Sequence, residues 1–177
     1  MTDATIRSAD PSRDAAACAA IYQPYVEACA TSFEERSPNG DEFAARIERV
    51  LATHPWLVAE VDGEVLGFAN ACPHRSRAAY RWAADVSVYV AEEHQGGGHG
   101  RRLYEALFGE LRERRFRVAC AGVTLPNQAS VALHEKLGFV PVGVYRGIGW
   151  KAGAWHVVGW WQLELSPDAE DPPAEPR

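Results

Sequence analysis

The chain has 177 residues, 47% hydrophobic and 24% charged, a size and mix that suit one globular domain with room for a buried core. A formal net charge of −6 and a pI near 5.5 argue against a nucleic-acid binder, though a local basic site for an anion remains compatible. The longest apolar runs fall short of the roughly 20 residues of a membrane span, and Met1-Thr-Asp-Ala lacks the basic and apolar parts of a signal peptide, so a cytoplasmic protein is expected.

In chain order, residues 4–9 read as a short strand. Asp10-Pro-Ser12 caps a helix that carries residues 15–22, with Pro24 breaking or kinking it and residues 25–30 forming a second helical piece. Ser37-Pro38 signals the next helix, and Asp41 and Glu42 suit its first turn. Phe43, Ile47, Val50 and Leu51 give that helix one apolar stripe, and His54-Pro55 ends it. Residues 56–61 and 64–71 read as a hairpin around Asp62-Gly63.

Residues 72–81 break the apolar trend with Pro73-His-Arg-Ser-Arg77. Val86, Val88 and Val90 then alternate with Ser87 and Tyr89, as in a strand with one buried face. Four glycines within residues 96–100 lead into a helix marked by Leu103, Ala106, Leu107 and Leu111. Residues 117–125 form the next strand, Pro126-Asn127 opens a helix that Gly138 ends, and residues 139–151 and 155–165 are two final strands. Trp150, Trp155, Trp160 and Trp161 are expected in the core or in an interface. Strands alternating with helices give an α/β sheet covered on both faces. Residues 166–177, rich in Pro, Asp and Glu, are expected to be a disordered tail after a single domain of residues 1–165.

The four cysteines, Cys18, Cys29, Cys72 and Cys120, show no Cys-x-x-Cys spacing and read as buried reduced thiols, with Cys72 a minor nucleophile candidate. No set of His, Cys and carboxylate residues has metal-ligand spacing, so no metal is expected. His94 and His99 read as solvent-facing.

A glycine loop that opens a helix is an anion site. Unpaired backbone N–H groups and the helix dipole both point at the ligand, and glycine admits close approach. The dinucleotide pattern fails here because Arg101 stands at its third glycine. The triphosphate loop fails because Arg101-Arg102 replaces Lys-Ser or Lys-Thr. The pattern that fits is Gln95-x-x-Gly98-x-Gly100, which resembles the coenzyme A pyrophosphate loop of the GNAT superfamily of N-acetyltransferases. A second stretch, Asn127-Gln-Ala-Ser-Val-Ala-Leu-His134-Glu-Lys-Leu-Gly138-Phe139, resembles the next motif of that superfamily, with His134 where many relatives have tyrosine.

A tighter resemblance runs over residues 6–165. It is carried by the stretch from Pro55 to Gly63, by Pro73 to Arg77, Ala79-Tyr80 and Trp82, by Leu125-Pro-Asn127, and by Gly153-x-Trp155-His156 and Gly159-x-Trp161-Gln162. These residues are similar to the phosphinothricin N-acetyltransferase family, which includes enzymes acting on methionine sulfone and sulfoximine. The resemblance implies a GNAT fold: a mixed central sheet of about seven strands, with a bulge and a splay in the strand before the glycine loop. It implies acetyl-CoA as co-substrate, a small amino-acid-like acceptor and a homodimer.

It also implies site residues. Val88, Tyr89, Val90, Gln95, Gly96, Gly97, Gly98, His99, Gly100, Arg101 and Asn127 would bind the coenzyme. Asp85 stands where the family has a glutamate thought to be the general base, and the shorter side chain suggests a relaying water. His134, whose residue type exchanges protons near neutral pH, is the second catalytic candidate. Phe33, Arg77 and Tyr80 would hold the acceptor, since the planar fork of arginine suits a carboxylate or phosphinate. Lys151, Trp155 and His156 are weaker candidates. A different primary amine as acceptor, or a non-catalytic acyl-CoA sensor, are the alternative readings.

Overall fold

The computed structural model describes residues 4–166 and 174–177. Seven strands form one sheet: β1 (Thr5–Ser8), β2 (Trp56–Val61), β3 (Glu64–Pro73), β4 (Ala83–Val90), β5 (Val118–Leu125), β6 (Val140–Lys151) and β7 (Ala154–Glu164), in the order β1-β2-β3-β4-β5-β7-β6. Four α-helices cover it: α1 (Pro11–Glu27), α2 (Gly40–Leu51), α3 (His99–Glu113) and α4 (Gln128–Lys136). All pairings are antiparallel except β4 with β5, which run parallel. None of the described helices is long and apolar enough to cross a membrane.

The alternation along β4 divides the core in two. Ala84 and Val86 face α3, where Leu103, Tyr104, Leu107 and Leu111 bury the helix stripe. Tyr89 points the other way, toward Tyr22, Phe43, Trp56 and Phe68 beneath α1 and α2. Each face of the sheet therefore has its own helix pair and its own apolar cluster.

Several sequence expectations are corrected. Pro24 does not end α1, which runs unbroken to Glu27. Pro24 and Ala20 lie on the exposed side, so one lost backbone bond there costs less than giving up the buried stripe of Ile21, Tyr22 and Val26. The second helix starts later than Ser37-Pro38, because Asn39 and Glu42 form a capping box. No bulge interrupts β4, which pairs with β3 residue for residue from Val90↔Gly67 to Ala84↔Pro73. Trp161 is buried, but Trp150 and Trp155 are 58% and 64% exposed on the outer hairpin. Cys29 is exposed rather than buried, and all four cysteines are free.

The tail expectation falls largely on residues 167–173, which lie outside the described residues. Residues 174–177 are bonded to the body of the protein. Trp82 Nε1 donates to the Ala174 carbonyl at 2.9 Å, and Arg81 pairs with Glu175 at 2.6 Å.

Candidate active site

The parallel contact between β4 and β5 is short. Only Ala83, Ala84 and Asp85 pair with Val118, Ala119 and Cys120. Beyond that point the strands part. The rest of β5 pairs with β7, and the rest of β4 with β3, so one backbone edge of each lines an opening in mid-sheet. Backbone N–H and C=O groups need partners when buried, so an extended polar chain laid in this opening satisfies both edges. Val86, Ser87, Val88 and Tyr89 line it from β4, Gly122, Val123 and Thr124 from β5, and Tyr104, Asn127, Ser130 and His134 from the helices.

The glycine loop stands at the mouth of this opening. Gly98 is the N-cap of α3 at φ +83°, a conformation in which a side chain is strained, and it contributes no capping side chain. The first N–H groups of α3 are thus left for a ligand. Tyr25 braces the loop from α1: its hydroxyl donates to the Val90 carbonyl at 2.6 Å, and the Gln95 amide donates to that hydroxyl at 3.0 Å. Gln95 is thereby turned to the brace.

The other loop candidates differ in what they offer. His99 and His94 are half-buried rather than solvent-facing, and His99 Nδ1 is buried without a hydrogen-bond partner. Arg101 lies exposed and pairs with Glu105 at 2.7 Å. Tyr89 packs its ring against Tyr22, Tyr25 and Phe68, so it offers the opening only backbone. Asn127 spends its Oδ1 as the N-cap of α4, accepting from Ser130 N at 3.1 Å, which leaves its amide nitrogen. Taken together, the parted strands, the bare helix start and the orphaned His99 nitrogen fit a pantetheine arm with its pyrophosphate.

His134 sits on the α3 face of the opening. Its Nδ1 lies 2.7 Å from the Ser130 carbonyl, so that nitrogen carries the proton, and Nε2 meets the Tyr104 hydroxyl at 3.1 Å. Burial holds the imidazole below its ordinary pKa, only partly offset by the Ser130 bond. His134 is therefore neutral near pH 7, and the Tyr104 hydroxyl donates to it. Burial pushes the Tyr104 hydroxyl up, so it keeps its proton. Tyr104 was absent from the sequence-derived site because its spacing marks it as part of the buried face of α3.

Asp85 faces the other way, at the last rung of the β4–β5 pairing. It is half-buried rather than a bare strand end, and it lies 2.6 Å from His74 Nδ1. Burial raises the Asp85 carboxyl, while the His74 hydrogen bond and the charge of Arg75 pull it back down. Folding also brings Cys120 beside them, with donor atoms of His74, Asp85 and Cys120 all within 4.8 Å of one another. The sequence reading missed this grouping, because its members come from three strands or strand ends. Cys72 is directly opposite Asp85 on β3, and burial pushes its thiol up to about 11, against a nucleophilic role.

The remaining acceptor candidates surround this pair unequally. The Tyr80 ring lies 5.9 Å from that of His74. Arg77 is exposed at the start of a single 3-10 turn, Ala78–Tyr80, and is not placed against Asp85 by any bond. Phe33 lies on Gly149, where an added methyl would overlap its ring, and 6.0 Å from the His156 ring. Three groups hold the Phe33 loop in place. Lys151 donates to the Ser32 carbonyl at 2.6 Å, the Tyr22 and Ser32 hydroxyls meet at 2.6 Å, and Arg46 grips Glu34 at 2.8 Å. His156 is committed through Nε2 to the Lys151 carbonyl. Lys151 and His156 thus brace the Phe33 loop and the β6–β7 hairpin, and Trp155 is exposed on the hairpin.

A sheet parted between two parallel strands, with a glycine loop at a helix start, is the arrangement that the resemblance to acyl-coenzyme A transferases implied. Residues 18–139 match the model of the acetyltransferase (GNAT) family, and the chain belongs to that family. It is 39% identical over 163 residues to the phosphinothricin N-acetyltransferase of Streptomyces viridochromogenes, covering 92% of this chain and 89% of that one. It is 38% identical over 170 residues to the L-methionine sulfoximine/L-methionine sulfone acetyltransferase of Salmonella typhimurium, covering 93% and 99%. Among solved structures it resembles the phosphinothricin acetyltransferase of Sinorhizobium meliloti in complex with acetyl-CoA (TM-score 0.87, 32% identity, 93% of this chain and 89% of that one).

Proposed function

We propose that this chain transfers the acetyl group of acetyl-CoA to the amino group of a small amino-acid-like acceptor such as phosphinothricin, methionine sulfoximine or methionine sulfone. The observation that carries this reading is the opening between β4 and β5 with titratable side chains on its two faces. The relatives named above supply the acceptor class. Backbone groups of Val88 and Val90 and the loop from Gly96 to Arg101 take the pantetheine and pyrophosphate, and the Asn127 amide nitrogen adds a contact. On one face Asp85 and its partner remove the amine proton. On the other, His134 and Tyr104 serve the departing sulfur. A backbone N–H near Val88 meets the oxyanion. Phe33 and Tyr80 wall the acceptor site, and Arg77 swings in to grip the anionic end of the acceptor.

We also propose a homodimer. The edge strand β6 exposes Val140, Val142, Val144 and Ile148, each between 49% and 63% accessible, with Trp150 and Trp155 beyond. A long apolar edge strand invites pairing with another chain, and a second copy covers it most simply.

The activity is tested by thiol release from acetyl-CoA against phosphinothricin, methionine sulfoximine, methionine sulfone, ordinary amino acids, spermidine and an aminoglycoside. Release confined to the phosphorus and sulfur amino acids supports the reading. Release with the polycations moves the acceptor class. Tight acetyl-CoA binding with no release from any acceptor points to an acyl-CoA sensor.

A further inference from the structure

We infer that His74 is the general base of the reaction, acting through its Nε2, and that Asp85 orients the imidazole and balances its charge rather than taking the proton from the amine itself. The inference rests on the acetyl-transfer reading and assigns a role to a residue outside the two sequence motifs.

The Asp85 carboxylate stands at the last rung of the β4–β5 pairing, where the two strands part. That carboxylate is already engaged, 2.6 Å from His74 Nδ1. An ionised carboxylate only accepts hydrogen bonds, so Nδ1 carries the proton and Nε2 carries the lone pair. Among the described residues Asp85 is the one hydrogen-bond partner of the His74 ring, and Nε2 is uncommitted. The ring is steadied between Tyr80 at 5.9 Å and Trp160 at 6.1 Å. The His74 and Asp85 side chains are 17% and 26% exposed, so the pair is enclosed without being sealed from solvent. The same logic of base and orienting carboxylate operates in hydrolase triads.

The surroundings are compatible with an imidazolium. Asp85 from β4 is the facing anion. Tyr80 faces the ring from the 3-10 turn and Trp160 from β7. Cys72 on β3 and Cys120 on β5 are the nearby thiols, and both are pushed up to about 11 by burial and the Asp85 charge, so they remain neutral. Arg75 is the neighbouring cation. Its charge acts on Asp85, and its guanidinium lies 6.0 Å from the Trp160 ring.

The step balances. The acceptor arrives as an ammonium ion and gives one proton to Nε2, while Nδ1–H stays on Asp85. The freed nitrogen pair forms the C–N bond, the C–S bond breaks, and sulfur leaves with its electrons. Nitrogen sheds a second proton, which ends on sulfur, and the imidazolium returns its own to solvent. The products are an amide, a thiol and one proton.

Two measurements test the assignment. In the 15N-labelled full chain, histidine side-chain 15N–1H correlations should show His74, identified by its loss in His74→Asn, as the Nδ1–H tautomer when neutral. An Nε2–H tautomer overturns the proposal. In steady-state assays with an accepted amino acid, His74→Asn and His74→Gln should lower kcat about 100-fold or more and abolish the ascending limb of the kcat/KM pH profile. KM for acetyl-CoA should stay within about twofold, and calorimetric acetyl-CoA binding shows that the variants fold. Asp85→Asn, which keeps the imidazole, should be the milder change. Asp85→Asn as the more damaging variant, or a His74 variant that keeps the ascending limb, assigns the base to Asp85. If the wild type acetylates no acceptor in the panel, the acceptor class fails, and the tautomer measurement decides the orientation of His74 without it.

Discussion

Gly98 shows how much a single residue decides here. At φ +83° it turns the chain into α3 while leaving the first N–H groups of that helix uncapped. Gly98→Ala places a side chain in the left-handed region, at a cost of about 1–2 kcal/mol. The expected outcome is a several-fold rise in KM for acetyl-CoA with kcat little changed, read from initial rates at saturating acceptor. At this scale the sequence was legible where a motif fixed the chemistry. Gly98 and His134 were found because they lie inside the loop and helix motifs, and Asp85 because the resembled family has a glutamate at its position. His74 was not, because a histidine among arginines reads as a solvated loop and its partner is eleven residues away on another strand. Tyr104 stayed hidden because a buried tyrosine on a leucine stripe carries no signal beyond packing.

The strands were legible in number and order from their apolar periods, and the helices in order, with α1 expected as two pieces. Their limits moved where tertiary packing outweighed local preference. Pro24 sits inside α1 because the residues around it bury well. The element with the largest open consequence is β6, whose Val140, Val142 and Ile148 stand more than half exposed on an edge. If a second copy covers this strand, Val142→Lys should convert a dimer into a monomer by sedimentation analysis, while wild-type protein keeps twice the mass of one chain. A wild-type chain that sediments as a monomer at micromolar concentration overturns the homodimer. The parting of β4 from β5 was expected only through family resemblance, because parallel pairing is non-local and leaves no mark on either strand alone.

For the molecule as a whole, two buried histidines set a pH dependence of stability. His54 and His134 are both held below the ordinary histidine value of 6.5, in each case chiefly by burial. Below that value the unfolded chain takes up protons that the native state refuses, so stability is fully present above it and falls as pH drops. Two such groups allow a slope of at most about 2.7 kcal/mol per pH unit. Urea unfolding between pH 7.5 and 5.5 should show a falling midpoint, and His54→Leu should flatten that fall without touching the site. Asp85 works in the opposite sense, since its raised carboxyl takes up a proton in the native state first.

The division of the parted sheet has a stereochemical consequence. Asp85 and His74 stand on the face away from α3, and His134 and Tyr104 stand on the α3 face. An acetyl group held between them meets its amine from one side only, so a single prochiral face of the thioester carbonyl is exposed to attack. The carbon formed there carries four different substituents: oxygen, nitrogen, sulfur and methyl. It therefore arises in one configuration, set by the hand of the sheet rather than by the acceptor, and only inhibitors of matching configuration at that carbon would fill the opening well.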